Sequence, residues 1–125
     1  MRLPIQVALG YPRRLPLIGE PMDFTKIGPL TFEKPDTGRF PCLKLAYEAG
    51  RRAKAAPIAF NAANEMAVQA FMDGVIGFYD IPLWIEDAMD AFMDLSQPDL
   101  AQIPEVDREV RRYLADRAHR KGLSV

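Results

Sequence analysis

Seven of the eleven prolines fall within the first 41 residues: Pro4, Pro12, Pro16, Pro21, Pro29, Pro35 and Pro41. Each fixes φ and removes a backbone donor, so no single helix or central strand can run through this third of the chain. It reads as an arm of short pieces. The remaining two thirds read as helices, and the shift in composition near Asp36 to Phe40 is the expected boundary. A length of 125 residues suits one domain, or a small domain with an arm.

Within the helical part the most informative run is NAANEMAVQAFMD, residues 61–73. It is apolar nearly all the way round, so neighbours should bury it on most sides. Its alanines at 62, 63, 67 and 70 permit close approach of other helices. Asn61, Glu65, Gln69 and Asp73 make an i, i+4 polar line with Asn64 beside it. Asn61 fits an N-cap, with Glu65 in the following turn and Gly74 at the left-handed position past the end. Pro57 offers an earlier start as the alternative.

Three more helices flank this one. Residues 41–53 place Leu43, Ala46, Tyr47 and Ala49 inward, with Leu45 on the flank. Asp80 caps a helix whose Ile81, Trp84, Ile85, Ala88, Met89 and Phe92 face inward, with Pro82 in its first turn. The last helix runs from about Pro104 to Arg120 and stops at Gly122, on a narrow stripe of Val106, Val110, Tyr113, Leu114 and Ala118. Four helices with short links predict a mainly α fold, an antiparallel four-helix bundle-like domain.

The arm reads differently. Residues 2–11 suit a short helix with Pro4 in its first turn, ended by Gly10 and Pro12. Residues 13–35 read as loop and extended chain. Leu30-Thr31-Phe32-Glu33 alternates like an edge strand between Pro29 and Pro35. No second strand is evident to pair with it. An unsupported helix and an unpaired strand imply that a larger body accompanies the arm.

Composition excludes several classes. The formal net charge is -1, which argues against a nucleic-acid surface. One cysteine (Cys42) and one histidine (His119) cannot build a disulfide framework or a Cys/His zinc site. No apolar run reaches the ~20 residues needed to span a bilayer, and no signal peptide is seen. A cytoplasmic location without membrane or nucleic-acid partners is expected.

Each constellation has a functional and a structural reading. Asn61, Asn64 and Glu65 could hold a polar ligand or a metal, but one carboxylate is a poor metal site and a helix cap explains the cluster better. Glu86, Asp87, Asp90 and Asp94 fit a solvated face. Arg108, Arg111, Arg112, Arg117, Arg120 and Lys121 are balanced by Glu105, Asp107, Glu109 and Asp116. His119 fits a dipole partner in the last turn. Cys42 fits a small buried hydrophobe, and Met66, Met72, Met89 and Met93 fit core. No Gly-rich phosphate loop is present. The residues alone compose no self-contained active site.

Four stretches, in order, carry a resemblance. They are MRLPIQVALGYPRR at 1–14, MDFTKIGPLTFEKPD at 22–36, RFPCLKLAYEAG at 39–50 and NAANEMAVQAFMDGVIGFYDIP at 61–82. Together they resemble the carboxy-terminal portion of the 1-deoxy-D-xylulose 5-phosphate reductoisomerase family, a likeness that weakens after about Ser96. The resemblance implies that residues 1–36 correspond to the end of a central catalytic domain with its linker strand, and residues 37–125 to the C-terminal helical domain. It implies a parent oxidoreductase of non-mevalonate isoprenoid biosynthesis. That enzyme makes 2-C-methyl-D-erythritol 4-phosphate with NADPH and Mg²⁺ or Mn²⁺, and is expected to be a homodimer.

The family's metal carboxylates, phosphate-binding residues and cofactor turn match nothing in this chain. Only Met1 matches a position that the family places beside the nicotinamide and substrate pocket. Asn61, Asn64 and Glu65 match a run typical of the family, with no catalytic role to transfer. The leading expectation is therefore a piece that buttresses the rest of the reductoisomerase chain and is inactive alone. The alternatives are an independent helical module that binds a partner protein through residues 1–35, and a small metal-dependent enzyme using Glu65.

Overall fold

A computed structural model describes residues 2–123. Six helices follow in order: α1 Arg2–Gly10, α2 Phe24–Ile27, α3 Cys42–Arg52, α4 Ala56–Met72, α5 Asp80–Ala91 and α6 Ile103–Arg120. The chain is mainly α, and no strand occurs among the described residues. None of these helices is long and apolar enough to cross a membrane. The described residues form two compact units, divided between Lys34 and Pro35.

In the first unit α1 ends at Gly10, and the chain returns beside it. Gln6 Nε2 donates to the carbonyl of Pro16. Leu15 lies over Gly10 so closely that an added Cβ would sit 2.9 Å from Leu15 Cγ. The single turn of α2 was not expected. Asp23 caps it, accepting from the Thr25 N–H at 3.0 Å and the Thr25 hydroxyl at 2.6 Å. Those bonds hold the Asp23 carboxyl below the usual carboxylate range. The expected edge strand at 30–33 is not formed: residues 28–36 are irregular. A strand exists only as half of a ladder, and no second strand among the described residues offers its N–H and C=O groups. No described residue of this unit is buried, and Phe32 is 89% exposed.

The second unit is organised around α4, which packs against α3, α5 and α6. Six alanines make this possible: Ala56, Ala59, Ala62, Ala63, Ala67 and Ala70 are all buried. Short side chains let the three neighbours approach its backbone. Their larger residues, Leu45 of α3, Ile85 and Met89 of α5, and Val110 and Leu114 of α6, complete the core. Several larger apolar residues of α4, including Phe71 and Met72, stay exposed, so the helix is buried along its small side chains.

The start of α4 corrects the expected cap. Asn61 is not the N-cap; the helix begins at Ala56, with Pro57 in its first turn. Pro57 lacks only an N–H that the first turn leaves unpaired, so the helix extends backward. That extension buries Ala55, Ala56 and Ala59, which no cap at Asn61 would do. The end is as expected. Gly74 takes φ +73°, the Gly74 N–H bonds the Phe71 carbonyl at 3.0 Å, and the Val75 N–H bonds the Ala70 carbonyl at 2.8 Å. This is a Schellman closure. A Cβ on Gly74 would meet no atom within 4 Å. Gly74→Ala should therefore cost only backbone strain, about 1–2 kcal/mol in urea unfolding; an unchanged midpoint would disprove that account.

Three other expectations shift. Asp80 is not the N-cap of α5 but its first residue, and its carboxylate accepts from the Gly77 N–H at 2.8 Å. The inward stripe of α3 is Cys42, Leu45, Ala46 and Ala49, while Leu43 and Tyr47 point outward. Cys42 is half-buried, and burial raises its thiol pKa. Met66 and Met89 pack in the core, whereas Met72 and Met93 are exposed. Helical spacing is shared by two faces of a helix, and only the neighbour's position selects one.

Candidate functional site

The polar line of α4 projects from the exposed side of the helix. Asn61 Nδ2 donates to Glu65 at 3.2 Å, and Gln69 Nε2 donates to Asp73 at 2.9 Å. Asn64, half-buried, lies beside them. The decisive partner comes from α6. The Arg111 guanidinium donates to Glu65 through Nη2, and to Asp107 through Nε at 2.7 Å and Nη2 at 3.2 Å. Asp107 sits one turn before Arg111 and fixes its fork, so the same cation is aimed at α4.

Electrostatics follow from that geometry. The hydrogen bond from Arg111 holds the Glu65 carboxyl below its ordinary value, with Asn61 and the Arg111 charge adding to the effect. Asp107 and then Glu65 raise the pKa of Arg111. Glu65, Gln69, Asp73 and Arg111, with Met66, Ala70 and Val75 as floor, line a shallow cleft of about 370 Å³.

The lowered folded-state pKa makes Glu65 stabilising above its unfolded value, 4.5. That contribution disappears as pH falls through the folded value. We expect the Glu65 carboxyl, followed by NMR, to titrate below 4.5 in the native chain and to move up in Arg111→Gln. Identical titrations in the two proteins would refute the pairing.

This arrangement changes the reading of Glu65. A divalent ion there would have to displace an intramolecular guanidinium and find further oxygen ligands. Among the described residues, no three His, Cys, Asp or Glu side chains gather as a metal site. The acidic face of α5 is also more than solvated surface. Asp87 accepts from Arg117 Nε at 2.8 Å and from the Tyr113 hydroxyl at 3.3 Å, joining α5 to α6. Asp90 accepts from Arg52 Nη1 at 2.8 Å, joining α5 to α3. Glu86 and Asp94 remain exposed. His119 lies exposed in the last turn of α6. Met1 lies outside the described residues.

Arg111 and Arg117 are the residues that sequence reasoning left undistinguished among the basic positions of α6. The Asp107-x-x-x-Arg111 spacing signalled a local pair. Nothing local signalled Glu65, 46 residues earlier in the chain.

Comparison with known proteins gives these features a context. The family model described as the DXP reductoisomerase C-terminal domain matches residues 1–113. The chain is 50% identical over 111 residues to the 1-deoxy-D-xylulose 5-phosphate reductoisomerase of Halothermothrix orenii, covering 89% of this chain and 29% of that protein. It is similar in structure to the enzyme of Zymomonas mobilis in complex with NADPH, at TM-score 0.79 and 40% identity, over 92% of this chain and 30% of the other. A DOX-P reductoisomerase in complex with magnesium gives TM-score 0.76 and 35% identity, over 91% and 31%. The chain thus spans under a third of the length of the relatives it matches. By a family match that runs from the arm into α6, this chain belongs to the DXP reductoisomerase C-terminal domain family.

Proposed function

We propose that this chain is a structural part of a 1-deoxy-D-xylulose 5-phosphate reductoisomerase, in which the helical unit buttresses the catalytic domain. The observation that carries this reading is the family match over residues 1–113, beside a TM-score of 0.79 to a solved enzyme of which the chain covers only 30%. The whole enzyme would convert 1-deoxy-D-xylulose 5-phosphate to 2-C-methyl-D-erythritol 4-phosphate with NADPH and a divalent metal, as a homodimer in the cytoplasm.

The described residues do not fit those two groups. They hold no gathered carboxylates for a magnesium ion. The sequence holds no Gly-rich turn for a dinucleotide phosphate. In this reading both bind elsewhere in the parent enzyme. In this reading Met1 would lie at the edge of the nicotinamide pocket. Residues 1–36 would then be the end of the catalytic domain with its linker, and residues 37–125 the helical domain.

Two observations support a buttressing role. The helical unit closes its own core, and its polar line is spent on bonds within α4 and on the Glu65–Arg111 tie to α6. The arm exposes Leu9, Tyr11, Phe24, Leu30 and Phe32, all at least 70% exposed. Apolar surface of that extent favours burial against another body.

The test is enzymatic. The isolated chain, mixed with 1-deoxy-D-xylulose 5-phosphate, NADPH and Mg²⁺ or Mn²⁺, should show no NADPH oxidation above the protein-free rate. Added to a reductoisomerase truncated before the matching region, it should restore measurable turnover. Activity of the isolated chain would overturn the claim that it is inactive alone. Failure to restore any truncated relative, together with capture of an unrelated protein through residues 1–35, would favour an independent interaction module. The self-contained core of the helical unit is what keeps that second reading in play.

A further inference from the structure

We draw no further inference here: the strongest candidate, the exposed edge-to-face aromatic patch of Phe40, Phe71, Phe78 and Tyr79 in the helical unit, is an apolar face with nothing in the structure to show what covers it.

Discussion

Ile85→Ala should lower the unfolding free energy of the helical unit by about 2–5 kcal/mol. Ile85 lies near the middle of α5, is 0% exposed, and belongs to the core that α4 shares with its neighbours. Truncation removes buried methyl and methylene groups and leaves a cavity that packed helices close only in part. Domains commonly hold only about 5–15 kcal/mol in total, so the loss is a large fraction of stability. In a unit of this size it corresponds to a fall in Tm of roughly 10–30 °C. Ile85→Val should cost only about 0.5–1.5 kcal/mol, because one methylene is removed and the shape is kept. The pair is measured by urea unfolding followed by far-UV circular dichroism. Equal, small effects of both variants would mean that Ile85 does not sit in a packed core.

Ala67→Leu should destabilise by the opposite mechanism. Ala67 is 0% exposed on α4, the helix that touches α3, α5 and α6. Its small side chain is what allows close approach, so a leucine must push a neighbouring helix away or adopt a strained rotamer. Overpacking of this kind costs about 1–3 kcal/mol, sometimes more. The adjacent Val68 is 41% exposed, and Val68→Leu should stay within about 0.5 kcal/mol of the parent. Because leucine is a weaker helix former than alanine by only a few tenths of a kcal/mol, propensity cannot account for a large loss. Similar unfolding midpoints for Ala67→Leu and Val68→Leu would contradict the packing described for α4.

The helical content of the chain was legible because its signals are local. Pro41, Pro82 and Pro104 near the helix starts, Gly74 and Gly122 at their ends, and the inward runs of α5 and α6 all act through bonds within a few residues. Those of α5 emerged nearly as read, with Ile81, Ile85, Ala88 and Met89 buried. Two local signals competed at α4, and the weaker-looking one prevailed. Asn61 offers one capping hydrogen bond, whereas a start at Ala56 buries three further alanine positions and adds a turn of backbone bonds. The side chain of Asn61 then turns to Glu65. The short strand failed for the complementary reason: alternation marks a segment that can pair, but pairing needs a second segment.

The candidate site was legible only as a list of residues. Asn61, Asn64 and Glu65 stood out by type and spacing, but the helix cap expected of them is not formed: Asn61 and Glu65 bond each other within α4. What the line could not reveal is its partner on α6. The choice between a ligand site and an interhelical tie depends on which charge faces Glu65, and that charge comes from Arg111. The same holds for Asp87 with Arg117 and Asp90 with Arg52. Each carboxylate looked solvated along its own helix and proved to be a link between helices.

By itself, then, the sequence determined the helical class of the chain, the irregular arm, the helix ends at Gly74 and Gly122, and the family likeness. These rest on backbone geometry and side-chain pattern over short spans, which no distant contact needs to supply. Tertiary structure alone decided which face of α3 turns inward, where α4 begins, that residues 30–33 form no strand, and that Glu65 belongs to Arg111. Those outcomes depend on surfaces and charges brought together from distant positions. Burial and ion pairing act between whatever is adjacent in space, and adjacency is set only when the helices pack.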